Sequence, residues 1–517
     1  MKLVPLFCFA VLTPTVAASG AHRAFAQDAA PPVAPPPSTV VRNLSPIDLQ
    51  PLEVAIPPAK EFTLPNGGHI FIVEDARTPL VTFSISVRAG ELMETNAGRG
   101  VASLAALCLR EGTKTYSAEK IAELEDKYGA SFNASAGDER VTATLSCLIE
   151  NADELLPVLA ELVYAPTFPA QRVKQVQTRL VANAVARQND PNRQAAEALN
   201  KAMYGETSVF GRPAPTPEQI GAVAPEQVTA FHARFYRPDS ALIGVAGNVK
   251  ADTTGSVLLR EFGSQRNPDA PAPVLPAAVF VAQGTSDGSA APVPIVVNRP
   301  GSAQTVLSFG VPGINRRDPE YFPLLLANRI LGGGFNSRLN QKLREEKGYT
   351  YGARSTVNAP KWTGTWTASA SVRNAVTANA ATDFLNEFVR LQTVPPKAGE
   401  LDLIKQALIG SFALTLESPG AVLSRSIERY EYGLPADYWN TYAARVRAVT
   451  PEDVVRVARQ YLGSGNAKTA SAKVWSVAVG EAAQIETGFR MAVAPDAEAG
   501  KTVKPPVVTP VPNAGER

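Results

Sequence analysis

Histidine is what this sequence most conspicuously lacks. The 517 residues contain three. His22 lies in the N-terminal segment, and His69, in "NGGH", and His232, in "TAFHARFY", stand far from each other. With His22 leaving in the targeting segment and the other two isolated from each other, a catalytic zinc site built on imidazoles is not expected. Cysteine is equally scarce at three, which excludes a disulfide-built scaffold and any Cys-rich metal site. Cys8 sits in the N-terminal apolar run. Cys108 and Cys147 read as small buried side chains, one on a helix and one on a strand. An oxidising compartment would permit a disulfide between them, and with no histidine beside either, neither reads as a reactive thiol. An excess of one charge is also missing: 50 Lys plus Arg stand against 48 Asp plus Glu. That balance gives no support to nucleic acid or an anionic membrane as the main partner. Beyond the N-terminus no stretch approaches the roughly 18 uninterrupted apolar residues of a membrane span.

The first 26 residues read as a targeting segment. Lys2 precedes the apolar run "LVPLFCFAVL", and "AFAQ" offers a small-x-small cleavage site after Ala26. The mature chain is expected in the periplasm. Residues 27–55, beginning "QDAAPPVAPPPSTVV", form a Pro-rich lead-in; 264–292 reads as a linker; 496–517 is a Pro-rich tail. Two bodies remain, 56–263 and 293–495, with a shared grammar. Each opens on alternating strands, "GHIFIVED" and "LVTFSISVRAG" in the first, "PIVVNRP" and "QTVLSFGVPG" in the second. Each continues into a helix ("GVASLAALCL", "EYFPLLLANRIL") and later into long amphipathic helices. Strand runs beside helix runs predict an α+β fold. It would consist of two homologous halves, each a mainly antiparallel sheet with helices on one face, closing as a clamshell.

The segment "RAGELMETNAGRGVASLAALCLREGTKTYSAEKIAELEDKYGASFNA" resembles the N-terminal half of the pitrilysin/insulinase zinc peptidases, a family that includes the mitochondrial processing peptidases. "YAPTFPAQRVKQV", "NDPNRQAAEALNKAMYG" and "FYRPDSALIGVAGNV" come after it in the family's order, so the resemblance spans about residues 60–490. Family members carry H-x-x-E-H on a helix just before Gly-Thr: two zinc ligands one helical turn apart, with the Glu as general base. Aligned on Gly112-Thr113, the metal histidines fall at Ser103 and Leu107 and the base at Ala106. The third ligand, a Glu about 76 residues further on, falls at Asn183. None of these side chains can replace an imidazole or a carboxylate on zinc. The chain itself is therefore expected to carry no metal.

The stretch "ILGGGFNSRLNQKLREEKGYTYGARS" has more chemistry. Gly332, Gly333 and Gly334 should end a helix and permit close backbone approach or positive φ. "SRLNQKLREEKG" reads as a short helix stopping at Gly348, and "YTYGARS" as a strand start with Tyr349 and Tyr351 on one face. The family resemblance implies that an Arg and a Tyr from this half complete the active site; its spacing selects Arg344 and Tyr351, with Tyr349 the alternative. The glycines and Tyr349 are then candidates for substrate binding. In two-chain members of the family one subunit supplies H-x-x-E-H and the other the Arg/Tyr pair, and this sequence looks like the second kind. The resemblance thus implies a non-catalytic, complementing subunit whose zinc-binding homologous partner holds the metal and base, acting on peptides. The alternative is a catalytically inactive peptide-binding or assembly scaffold. A new nucleophile at Ser103 lacks both a "GxSxG" turn and a nearby base.

Overall fold

A computed structural model of the chain describes residues 52–206, 208–273, 292–463 and 473–494. The targeting segment, the lead-in up to residue 51, residues 274–291 of the linker and the tail lie outside the described residues. Alternation sets the strands. Leu80–Val87 and Val141–Leu148 bury every second side chain. Their other face carries hydroxyls that pair across the strands, Thr82 with Ser146 and Ser86 with Thr142.

The first sheet joins β1 (Lys60–Thr63), β2 (His69–Glu74), β3 (Leu80–Val87), β4 (Ser131–Ala136), β5 (Val141–Leu148) and β6 (Leu242–Gly247) in the order β1-β2-β6-β3-β5-β4. The second joins β7 (Ile295–Asn298), β8 (Gln304–Pro312), β9 (Ala353–Asn358), β10 (Thr365–Arg373) and β11 (Trp475–Gly480) as β7-β11-β8-β10-β9. Among the described residues only β2–β6 and β7–β11 pair in parallel. Apart from β1, the two topologies are the same, as expected for two homologous α+β halves. Seven helices matter below. They are α1 (Val101–Cys108), α2 (Ala152–Tyr164), α3 (Ala170–Gln188), α4 (Pro191–Tyr204), α5 (Tyr321–Leu331), α6 (Thr377–Thr393) and α7 (Pro419–Tyr432). Among the described residues no single helix is long and apolar enough to cross a membrane.

Period-two alternation also explains how the halves join. In β2, Ile70 and Ile72 point into the first core, while Phe71 and Val73 point to the opposite face and pack with Val422 and Leu423 of α7. In β11, Ala478 faces the second core, while Val477 and Val479 meet Ala195, Leu199 and Met203 of α4. Each half thus lends a helix to the far face of the other half's sheet, where sequence reasoning had placed helices on one face only. Proline makes this possible. Pro191 after the Asp190 cap and Pro419 after Ser418 each end the preceding helix and start a new one in another direction. The second break bends the chain by 107°. Each break is held by an arginine of the opposite half: Arg77 Nη2 donates to Glu417 O at 2.5 Å and Arg299 Nη1 to Asn189 O at 2.6 Å.

Two strand glycines make room for the lent leucines. A Cβ on Gly244 would lie 2.8 Å from Leu423 Cδ2 and 2.6 Å from Ser84 Oγ; one on Gly310 would lie 3.0 Å from Leu199 Cδ2. From Leu52 onward the chain forms one compact unit. Even the end of the Pro-rich lead-in is docked, with Val54 buried in the second core and Leu52 O accepting from Arg447.

Candidate functional site

The first half holds α1 by its N-terminus. The buried Glu94 carboxylate accepts from Gly100 N at 3.0 Å, Ala102 N at 2.9 Å and Arg99 Nη1 at 3.1 Å, filling donors that a helix start leaves open. Burial raises the Glu94 pKa against the pull of those bonds. From this anchor the four family metal positions go to three different surroundings. Leu107 on α1 and Asn183 on α3 line the same open cleft of about 430 Å³, together with Arg110, Glu111, Asn133 and Arg179. Ala106 is fully buried in the core. Ser103 donates to Glu91 Oε1 at 3.3 Å and does not line the cleft. A hydroxyl, a methyl, an isobutyl and an amide do not fit zinc, so no step can be derived through a metal on this chain. Among the described residues no group of three or more His, Cys, Asp or Glu could hold a metal ion.

The remaining sparse residues are structural. His232 Nε2 lies 2.8 Å from Val163 O, with Phe168 and Tyr236 against its ring, and burial pulls its pKa down to about 4. His69 packs on the Tyr430 ring. Cys108 and Cys147 are buried free thiols, pushed up to about 12 and about 11 by burial.

In the second half α5 ends at Leu331, and the glycines come next. Gly332 is required by close approach: its O accepts from Ser355 N at 2.9 Å, and a Cβ would come within 2.4 Å of that nitrogen. Gly333 is crowded by Asn328, Gly334 borders open space, and none of the three has a positive φ. The next helix starts at Arg338 and widens over Gln341–Glu346 into a turn with one extra residue, a form that recurs at functional sites. It stops at Gly348, whose φ is +60°.

The expected strand from Tyr349 begins instead at Ala353, and Tyr349 and Tyr351 do not share a face. Two side chains displace it. Thr350 Oγ1 closes a tight turn with Gly352, and the buried Asn340 Oδ1 accepts from Ala353 N at 2.9 Å. Tyr349 consequently packs against the second core, whereas Tyr351 is 95% exposed. Arg344 is half-exposed, its Nε 3.4 Å from Glu345 Oε1 and its guanidinium 4.6 Å above the Phe335 ring. Neither Arg344 nor Tyr351 lines the cleft of Leu107 and Asn183. Sequence reasoning missed Phe335 and Asn340; the only signal was a large aromatic directly after a glycine run.

Fold and site together define a duplicated peptidase-type unit whose metal-site positions hold hydroxyl, apolar and amide groups. Two family models match in tandem: Insulinase (Peptidase family M16) over residues 69–214 and Peptidase M16 inactive domain over 222–408. The chain belongs to the insulinase family, peptidase family M16, as a member of its inactive type. It is similar to the uncharacterized zinc protease YmxG of Bacillus subtilis, at 25% identity over 370 residues, 71% of this chain and 87% of that protein. It is also similar to the non-peptidase homolog YmxG of Helicobacter pylori, at 23% identity over 398 residues, 74% and 86% of the two chains. Among solved structures, the peptidase M16 inactive domain from Pseudomonas fluorescens superposes with a TM-score of 0.72 at 24% identity, covering 82% of this chain and 98% of that one.

Proposed function

We propose that this chain is the complementing subunit of a periplasmic heteromeric zinc endopeptidase. A zinc-bearing homologue supplies metal and general base; this chain supplies Arg344 and Tyr351. The observation that carries the reading is Tyr351, a large side chain 95% exposed, set between a buried amide-held strand start and a core-packed Tyr349. A phenol presented to solvent from a fixed backbone suits a donor to the oxyanion of a tetrahedral intermediate, and the Arg344 guanidinium suits a peptide carbonyl or carboxylate. Substrates are peptides or unfolded segments that fit between the two subunits.

The test is reconstitution. The mature chain alone should be inert; mixed with an H-x-x-E-H homologue from the same organism it should support cleavage of a quenched fluorescent peptide. Tyr351→Phe should lower kcat of the mixture by about 10²-fold, the usual effect of losing one oxyanion donor. Cleavage by the chain alone, or unchanged cleavage by the Arg344→Ala and Tyr351→Phe mixtures, sinks the proposal.

A second reading rests on the cleft. With Leu107 on its wall and an opening to solvent, it suits holding a peptide without cutting it, as a scaffold would. Peptide binding that survives both Arg344→Ala and Tyr351→Phe, with no cleavage in any mixture, favours that account.

A further inference from the structure

We infer that Phe335 is the positioning residue of Arg344: its ring occupies the face of the guanidinium and leaves the terminal nitrogens to the substrate. The inference rests on the complementing role proposed above and deepens it. Phe335 is 66% exposed, so its ring is not there to fill a core. Its close partner is the Arg344 guanidinium, 4.6 Å from the ring centroid. An arginine stacked on an aromatic loses freedom without spending its N–H donors, because these lie in the guanidinium plane and point outward from its edges. Its closest approach to a carboxylate is made by Nε, 3.4 Å from Glu345 Oε1. Among the described residues the two Nη atoms have no hydrogen-bond partner. A long side chain that would otherwise sweep solvent is thus held with its fork unspent.

The scaffold beneath is specific. Asn340, 8% exposed, donates from Nδ2 to Phe335 O at 3.0 Å and accepts on Oδ1 from Ala353 N at 2.9 Å. One buried amide therefore ties the backbone under Phe335 to the backbone two residues past Tyr351. The extra residue in the turn Gln341–Glu346 alters the direction in which Arg344 leaves its helix, compared with a regular turn. Leu339 just before this turn and Leu343 within it are fully buried, which anchors it.

The experiment uses the reconstituted complex and measures kcat, KM and thermal midpoint for Phe335→Leu, Phe335→Trp, Arg344→Ala and the double variant Phe335→Leu/Arg344→Ala. Loss of an exposed cation–π contact should lower kcat/KM about 2- to 5-fold in Phe335→Leu. Phe335→Trp should keep wild-type activity, since indole offers the better face. The thermal midpoint should not move. On the Arg344→Ala background, Phe335→Leu should cost nothing further, because there is no guanidinium left to hold.

If leucine and tryptophan impair cleavage equally, or if the leucine loss is undiminished without Arg344, Phe335 acts on the substrate directly and the inference is overturned. If Arg344→Ala impairs cleavage while Phe335→Leu does not, the complementing role survives and only this inference fails. If Arg344→Ala leaves cleavage intact, both fall together.

Discussion

The exchange of α4 and α7 predicts that damage in one half is felt in the other. Leu155 on α2 is fully buried in the first core. Truncating it to alanine leaves a cavity that costs about 3 kcal/mol at a site of this kind. All four tryptophans, Trp362, Trp366, Trp439 and Trp475, lie in the second half, so tryptophan emission reports only that half while far-UV circular dichroism reports both. If the halves were independent, Leu155→Ala would leave the emission transition where it was and split the dichroism curve in two. The lent helices say otherwise. Unfolding the first half removes α4 from Val306, Val477 and Val479, and takes the surface that α7 covers away from it. The second half therefore loses its cover when the first half melts. Both probes should report one coincident urea transition, shifted down by about 1 M for an m-value of about 3 kcal/mol/M. An unshifted tryptophan midpoint in Leu155→Ala refutes the coupling.

Three further outcomes rest on the same packing and electrostatics. Gly244→Ala should destabilise by about 1–3 kcal/mol, because its Cβ meets Leu423 and Ser84. Combined with Leu423→Ala it should cost less than the sum of the single variants, and strict additivity in urea melts would show that the helix moves aside instead. His232 is held neutral by burial, its pKa lowered to about 4. The unfolded chain takes up this proton below pH 6.5, so the stability due to His232 is complete above that value and drains away as pH falls through about 4, by up to about 3 kcal/mol. His232→Gln should lose less stability than wild type between pH 7 and pH 4.5, and equal losses in the two proteins count against the assignment. Glu94→Ala should cost about 1–3 kcal/mol through the unpaired Arg99 and the open donors of α1, read as a lower thermal midpoint; no change would mean that water replaces the cap.

The strands and long helices were legible because each rests on a local period: β3 and β5 alternate residue by residue, and α2 and α3 run apolar on one face. The breaks at Pro191 and Pro419 were not read from the sequence: a proline says that a helix restarts and not where it goes. The direction is set by contacts over 100 residues away, Arg299 on Asn189 and Arg77 on Glu417. At the candidate site the alternation rule failed for Tyr349 and Tyr351 because Thr350 and Asn340 satisfy the backbone with side chains, a competition that no periodicity encodes. Phe335 escaped notice for a related reason: a lone aromatic reads as a core residue, and its exposure and its place beside Arg344 are properties of the fold, not of the local sequence.

The reciprocal helices also decide what happens to a severed chain. A cut within 274–291 separates the sequence into two fragments, yet each would still carry the other's missing layer. Fragment 52–273 bears α4, and fragment 292–494 bears α7. Either piece alone presents a bare apolar sheet face, Phe71 and Val73 in one and Val477 and Val479 in the other, and such faces aggregate. Co-expressed, the two should find each other and reassemble, because each fragment carries the helix that clasps the other.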